Sequence, residues 1–497
     1  MVNLIKYSGQ VFTPDYLVKI ILDEAGYYGS EILQKHCIDN SCGDGAFLLE
    51  IVRRYTIEYR KVHSNSVGLS EELSKFIHGI EIEDTAYRCC LENLNHLAHE
   101  LQLNDVKFDV RHCNAISFTE FDEKMDFVIG NPPYVRVHNL NDSYSDVKRY
   151  SFASDGMTDL YLVFFELGFK MLKTGGKLCY ITPSSWLNSL AGTKLRNYIR
   201  QTRSLISLTD LAHFQAFKAF KATTYTLISN FVKGFKSEEF TYNTFDEQSL
   251  SIKFESVLSY SDIDINGCFY LADKVTLQSL QNIFSSSTPK YVSVKNGFAT
   301  LADKIFISPS FPFTQFVIPV IKASTGKWYQ AFFPYDKKGK AIDKTSIFSD
   351  SSISSYLNNH KTELLKDTTE ANNPYWFLYG RTQALKDVFL DKLAVNTTIK
   401  DIESIKINFV PSGSGIYSGL YIITETDIDL NVVSTLLNTS EFVKYIASLK
   451  KYKSGGYYTY NSKDLESYLN YHIDKLIKNE TVQISSLEQC GLFSNCG

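Results

Sequence analysis

The sequence predicts an α/β protein in two parts: a doubly wound, Rossmann-like first half that carries a ligand site, and a second α/β half of different character. Three stretches carry the prediction. Cys37 to Leu49 reads as a strand, a glycine turn and an apolar helix, and Ile77 to Glu83 reads as a second strand ending in acid. Phe127 to Ile129 reads as a short buried strand that Gly130-Asn131-Pro132-Pro133 stops abruptly, because neither proline can donate to a sheet ladder. In an open α/β sheet, ligands bind at the carboxyl ends of the strands. Each of these strands ends there in groups suited to holding one.

Taken in order, Gly9-Gln10-Val11-Phe12-Thr13-Pro14 leads into an amphipathic helix through Leu17, Val18, Ile20, Ile21 and Leu22, with Thr13 as N-cap and Pro14 at the first helical position. The loop Asp39-Asn40-Ser41-Cys42-Gly43-Asp44-Gly45 follows, and its two glycines permit a tight turn with close backbone approach. Asp39 stands where a cationic ammonium can be held. A phosphate loop would carry a lysine after its glycines, and there is none. Glu81, ending the second strand, is placed to accept hydrogen bonds from ribose hydroxyls. A third strand over Phe108 to Ala115 brings Asn114 to the same edge, and the fourth ends in Asn131-Pro132-Pro133-Tyr134. The Asn131 side chain and the Pro132 carbonyl, whose direction Pro133 restricts, give two fixed acceptors beside the Tyr134 ring. That is a cradle for a planar group bearing NH₂. With 11 prolines in 497 residues, an adjacent pair framed by Asn and Tyr is more than an incidental turn. The polar stretch from Arg136 to Asp155 reads as a mobile loop over the site. Beyond it come an apolar helix from Asp159 ending at Gly175-Gly176, a strand from Lys177 to Pro183, a helix after Ser184-Ser185-Trp186-Leu187, and an aromatic loop from Phe214 before an alternating strand.

Asn131-Pro132-Pro133-Tyr134 resembles the catalytic motif of the S-adenosylmethionine-dependent amino methyltransferases, which include DNA adenine-N6, release-factor glutamine and rRNA guanine enzymes. The order of motifs from residue 9 to about 231, with the cofactor loop before the catalytic one, resembles the gamma class of DNA adenine-N6 methyltransferases of restriction-modification systems. The chain departs from that pattern at Asn40, where the family usually has proline, and at Asn114, where it commonly has an aspartate contacting the adenine amino group. The resemblance implies S-adenosyl-L-methionine as cofactor. It would be held by Thr13 and Pro14, by Asp39 with Ser41, Cys42, Gly43, Asp44 and Gly45, and by Phe47 and Leu48 of the following helix. Glu81 and Ile82, Asn114 and Ala115, and Asn131 itself complete that set. Catalysis would fall to Asn131, Pro132, Pro133 and Tyr134, with a phenylalanine on the opposite face of a flipped adenine; spacing favours Phe217 and leaves Phe220 open.

The predicted domains are 1–235, the methyltransferase domain, and 236–497, a target-recognition domain whose likeness to the gamma enzymes is looser. Val292 to Thr300 reads as a hairpin turning at Asn296-Gly297. Lys327-Trp328-Tyr329, Tyr335 to Lys340, Tyr379 to Gln383 and Lys450 to Tyr458 interleave bases with aromatics, and residues 441–463 hold five lysines against one acid. Lysines near loop glycines suit phosphates, while Arg381 and Gln383 suit guanine and adenine edges. The expected DNA contacts are Arg136, Lys295, Lys327, Tyr329, Arg381, Gln383, Lys451, Lys453 and Tyr457, with duplex DNA between the two domains.

Lys plus Arg total 51 against 55 Asp plus Glu, a net charge of −4, so the whole chain is no polycation and nucleic-acid binding must come from local patches. Aromatics reach 14% of residues, with 32 Tyr and 34 Phe, which leaves some for stacking on bases. The nine cysteines form no C-x-x-C pair and no set with zinc spacing, so buried free thiols are expected and no metal site. The amino terminus lacks a signal-peptide pattern and no apolar run spans a membrane, which predicts a soluble cytoplasmic protein. The expected partners are double-stranded DNA and a restriction endonuclease acting separately, with the chain itself a monomer. Two other readings stay open: an amino methyltransferase acting on protein or rRNA, and a DNA-binding subunit without catalysis.

Overall fold

The computed structural model describes residues 13–136, 144–153, 159–212, 214, 225–366 and 368–489. Nine strands of the first half form one sheet: β1 (Cys37–Asp39), β2 (Ile77–Glu81), β3 (Asp109–His112), β4 (Met125–Gly130), β5 (Leu172–Pro183), β6 (Leu205–Asp210), β7 (Thr226–Val232), β8 (Glu239–Asp246) and β9 (Ser251–Ser259), in the order β3-β2-β1-β4-β5-β7-β6-β8-β9. The first five are mutually parallel, and β7 runs antiparallel to both of its neighbours. The sheet is therefore doubly wound in its first five strands and mixed beyond. Its order reverses between β1 and β4, the switch point where such sheets bind ligands.

Alternation along β5 shows why helices cover both faces. Cys179 and Ile181 join one core with Leu17, Val18 and Ile21 of α1 (Asp15–Glu24), Ile51, Val52 and Tyr55 of α2 (Ala46–His63) and Leu94 and Leu97 of α3 (Asp84–Glu100). On the other face α4 (Leu160–Met171) comes so close that a Cβ on Gly168 would lie 2.4 Å from Leu178 Cδ1. Phe165 of α4 meets Tyr180, Phe231 and Trp186 edge-on, with ring centroids 5.6, 6.0 and 6.2 Å away. Each fully buried Leu, Ile or Phe here contributes about 1.5–3 kcal/mol.

Several expectations give way to longer-range pairing. The chain divides into Met1–Ser279 and Leu280–Gly497, not at 235/236, because β8 pairs with β6 and β9 with β8, which adds the segment after 236 to the first sheet. α1 is capped by Pro14, whose carbonyl accepts from the amides of Leu17 and Val18 at 2.9 and 3.0 Å; Thr13 is not the cap. The glycines Gly175-Gly176 do not end the helix. Met125 pairs with Leu172 and Phe127 with Lys177, so residues 173–176 loop out within β5. Asn296-Gly297 is not a hairpin turn: Val292–Asn296 lies antiparallel to Leu420–Thr424, far along the chain.

In the second unit, strands Val292–Asn296, Leu420–Thr424, Lys392–Val395 and Ile407–Val410 form one antiparallel sheet, and Ile307–Ser308, Lys327–Phe332, Val317–Lys322 and Gly415–Tyr417 form another. Its core is aromatic, with Phe298, Phe306, Phe332, Phe333, Trp376 and Phe377 buried. Tyr335 and Tyr379, two of the rings interleaved with bases in the sequence, are buried there too: the Tyr379 hydroxyl donates to the Phe332 carbonyl at 2.8 Å, and the Tyr335 hydroxyl accepts from the Tyr379 amide at 2.7 Å. Among the described residues no helix is long and apolar enough to cross a membrane.

Candidate active site

β1 and β4 are hydrogen-bonded neighbours, so the loops at their carboxyl ends emerge side by side. Their contact is close: a Cβ on Gly130 would lie 2.5 Å from Asp39 Oδ1, which makes glycine the residue that fits between strand and acid. One residue on, Asn131 is held from two directions. Its side-chain Nδ2 donates to Thr13 Oγ1 at 3.1 Å, and its backbone carbonyl accepts from Ser41 Oγ at 3.3 Å. Thr13 lies 118 residues away in sequence and Ser41 lies 90, so two separate motifs converge on this asparagine. Pro132 is buried and Pro133 partly so. Tyr134 donates its hydroxyl to the Ile181 carbonyl at 3.1 Å and meets Tyr161 edge-on at 6.4 Å, and burial pushes its phenol well above the usual range. Anchored at the hydroxyl and packed on Tyr161, the ring is held as a fixed surface beside the loop. Phe217 and Phe220 lie outside the described residues; Phe214 packs against Tyr16 and Phe245, at 6.4 and 4.9 Å.

The loop after β1 turns through Gly43 (φ 55°) and Gly45 (φ 93°), and the second of these is the N-cap of α2. A Cβ at Gly45 would also stand 2.9 Å from Cys90 Sγ, so conformation and space both call for glycine. Asn40, where the enzymes this loop resembles usually carry proline, is buried and accepts from the Tyr180 hydroxyl at 3.0 Å. A proline stiffens such a loop through its own ring; here a side-chain hydrogen bond to β5 does so.

Asp39 is 2% exposed and accepts from the Ser41 amide at 3.1 Å. Burial pushes its carboxyl up to about 8, the Ser41 amide opposes the rise, and the acids Glu81 and Asp44 add to it. Glu81 is also buried; it accepts from the amides of Gly43 at 2.9 Å and Glu83 at 2.8 Å, and burial raises its carboxyl. Asp44, partly buried, is raised for the same reason. Three acids about one glycine turn suit a cation and oppose a phosphate. Ile82 is 59% exposed next to Glu81, an apolar face at the same edge. Asn114 Oδ1 caps a short turn by accepting from the Ile116 amide at 3.0 Å, with Ala115 buried beneath.

Three members of the expected cofactor set are turned inward. Phe47, Leu48 and Cys42 are all buried, the first two in the core beneath α2 and the last with its Sγ 4.0 Å from Cys90 Sγ. The start of α2 faces the sheet, so its apolar side chains support the loop from beneath.

Among the expected DNA contacts, the structure separates tied side chains from exposed ones. Lys295 pairs with buried Asp387 at 2.8 Å, Lys451 pairs with buried Asp464, and Gln383 Nε2 donates to the Gly297 carbonyl at 2.6 Å. These three hold their own unit together. Lys295, Gln383 and Asp387 also line a cavity of about 520 Å³ with Lys338 and Lys386. Arg136, Lys327, Arg381, Lys453 and Tyr457 are exposed, and Lys453 and Tyr457 face each other across two short strands. Tyr329 is partly buried, edge-on to Tyr417 at 6.0 Å, while its neighbour Trp328 is 47% exposed. The sequence signalled neither the Thr13 to Asn131 bond nor the support of Asn40 by Tyr180, because each joins residues more than a hundred positions apart.

The switch point of this doubly wound sheet thus carries an acidic glycine loop beside Asn131-Pro132-Pro133-Tyr134. Residues 56–217 match the family described as Eco57I restriction-modification methylase. The chain is similar to the type II restriction enzyme and methyltransferase RM.Eco57I of Escherichia coli, 23% identical over 88% of this chain and 54% of that protein. It is also similar to the type II methyltransferase M.BstVI of Geobacillus stearothermophilus, 28% identical over 41% of this chain and 39% of that one. It spans about half, or less, of the length of these curated relatives. Among solved structures, the type IIL restriction-modification enzyme MmeI in complex with DNA shares the fold with a TM-score of 0.60 at 13% identity, over 90% of this chain and 64% of that one.

Proposed function

We propose that this chain is a site-specific DNA methyltransferase of a restriction-modification system, transferring a methyl group from S-adenosyl-L-methionine to N6 of an adenine flipped out of duplex DNA. The observation that carries the reading is Asn131 held by Thr13 and Ser41 directly beside the buried acid Asp39. The residues fit the cofactor: Asp39 suits its ammonium group, Glu81 its ribose hydroxyls, and exposed Ile82 its adenine face. When bound, it supplies an electrophilic methyl group on a sulfonium.

The chain's own residues act on the amine. The N6 lone pair is delocalised into the ring, so adenine is a poor nucleophile. Acceptance of N6–H by the Asn131 side chain and the Pro132 carbonyl favours a pyramidal nitrogen, localises the lone pair and stabilises the positive charge that grows in the transition state. Flipping costs a few kcal/mol. Stacking on Tyr134, at about 1–3 kcal/mol per base, offsets part of that, and Phe217 is proposed for the opposite face.

The likeness to MmeI, solved in complex with DNA, supports a nucleic-acid role for the second unit; the exposed Lys327, Arg381, Lys453 and Tyr457 and the partly buried Tyr329 are its proposed contacts, with exposed Arg136 of the first unit beside them in the set. Lys451 and Lys453 should then behave differently. Lys451→Ala strands the buried Asp464 carboxylate and is expected to destabilise the protein by about 1–3 kcal/mol in urea unfolding. Lys453→Ala should leave the unfolding midpoint near the parent's and flatten the slope of log affinity for DNA against log salt by about one unit. Equal midpoints for the two variants would overturn this division.

The function itself is tested by sequencing modified bases in DNA from cells expressing the chain. N6-methyladenine in one sequence context, lost in the Asn131→Ala strain, is the expected result. Methylation of a release factor or rRNA in vitro, with DNA unmodified, would overturn it.

A further inference from the structure

We propose that the cavity framed by Lys295, Lys338 and Lys386 in the second unit is a phosphate-binding site, taking the phosphate group of a DNA backbone or of a free phosphate compound. The three lysines come from separate segments. Lys295 belongs to the strand Val292–Asn296, Lys338 to the turn that follows Tyr335, and Lys386 to the start of the short helix Lys386–Phe389. About 520 Å³ lies between them, lined also by Asn296, Thr382, Gln383 and Ser462, which is the size of a small-ligand site. Gathering like charges about one concavity costs free energy that a bound anion offsets. Asp387, the one acid among the described lining residues, is already engaged: it is 5% exposed, and its Oδ2 accepts from Lys295 Nζ at 2.8 Å and from the Tyr421 hydroxyl at 2.7 Å. Asp336, on the same turn as Lys338, accepts from the amides of Lys338 and Lys340 at 2.8 and 2.9 Å. Lys338 and Lys386 are exposed, and among the described residues neither forms a salt bridge. The wall that carries them is fixed from behind. The Lys392 ammonium, 2% exposed, donates to the carbonyls of Asp387, Val388 and Leu390 at 3.0, 3.0 and 2.8 Å. Gly339 (φ 74°) brings the lysine turn onto the helix start so closely that a Cβ there would lie 3.0 Å from the Lys386 amide nitrogen. The cavity is thus set by the fold, and little ordering opposes binding. Tyr421 is 1% exposed, so the lining offers ammoniums, hydroxyls and amides but no open ring for a base to stack on. That chemistry suits the phosphate of a nucleotide and not its base.

The test is calorimetric titration of the full chain with pyrophosphate at constant ionic strength. Two double variants are compared with the parent: Lys338→Ala with Lys386→Ala, which empties the lining of its unpaired charge, and Lys337→Ala with Lys340→Ala, which removes the same charge from exposed lysines of the same turn that lie off the lining. The parent should bind pyrophosphate saturably, the first double variant at least about tenfold more weakly, and the second as the parent does. Thermal unfolding without ligand should give all three the same midpoint, since no salt bridge is cut. Duplex DNA distinguishes the two sources of phosphate. If the backbone fills the cavity, pyrophosphate competes with duplex, and the first double variant flattens the slope of log affinity for DNA against log salt by about two units. If a free phosphate compound fills it, a chain saturated with duplex still binds pyrophosphate and the slope keeps its parental value. A parent that binds no pyrophosphate overturns the proposal, and so does equal affinity in the first double variant or an equal loss in both. None of these readings depends on methyl transfer, so a chain that left DNA unmethylated would overturn the proposed function and leave this site standing.

Discussion

Replacing Asn131 with alanine is expected to lower turnover by about a hundredfold or more, the scale for losing one preorganised transition-state hydrogen bond. Cofactor affinity should hardly change. The substitution removes the side-chain acceptor at the carboxyl end of β4 but leaves the Ser41 hydroxyl on the backbone carbonyl and leaves the loop after β1 intact. It also strips Thr13 Oγ1 of its donor inside the fold, which costs about 1 kcal/mol of stability and should show as a small drop in unfolding midpoint. Steady-state kinetics with saturating cofactor measure the rate, and calorimetry with S-adenosylhomocysteine measures the site. A variant that methylates at the parental rate would remove Asn131 from the mechanism.

Asp39→Asn should give the converse pattern, with cofactor affinity weakened by about ten- to a hundredfold, the worth of a charge-assisted hydrogen bond in a buried site. Asparagine keeps the size that Gly130 accommodates and removes the charge. The sign of the pH effect follows from the raised carboxyl. Between the ordinary 3.8 and about 8 the folded, unbound protein keeps a proton on Asp39 that the unfolded chain releases. Stability from this group is therefore fully present below 3.8 and falls as pH rises towards about 8. An ammonium partner favours the ionised form, so binding expels that proton and cofactor affinity in the parent should climb across the same window and level off above it. In Asp39→Asn both slopes should shrink. Parental affinity with a parental pH profile would locate the cofactor elsewhere.

Local chemistry made the first half of the chain legible. Short apolar runs ended by glycines, an acid or a proline pair announce strands and their exits without help from distant residues, and β1, β2 and β4 carry such endings. Lost from view was whatever depends on a partner far along the chain. The pairing of Val292–Asn296 with Leu420–Thr424 overrode a good turn dipeptide at Asn296-Gly297. Tyr335 and Tyr379 sit among basic residues in the sequence, yet their rings close an aromatic core. Lys451 belongs to a lysine-rich run, and only the fold brings Asp464 to it at 2.6 Å. Charge clusters and aromatic content are properties of a segment, whereas availability for a ligand is a property of the neighbours that folding supplies.

The extension of the first sheet by β8 and β9 bears on how the chain could be cut. A fragment ending at residue 235 would keep every motif of the cofactor and catalytic loops but lose the strand that pairs with β6 from Ser207 to Asp210. The amide and carbonyl groups of that strand, beside the buried Leu205 and Leu208, would become an open edge. Another molecule's strand could add there as readily as β8 does, which makes such a fragment prone to aggregate before its chemistry could be assayed.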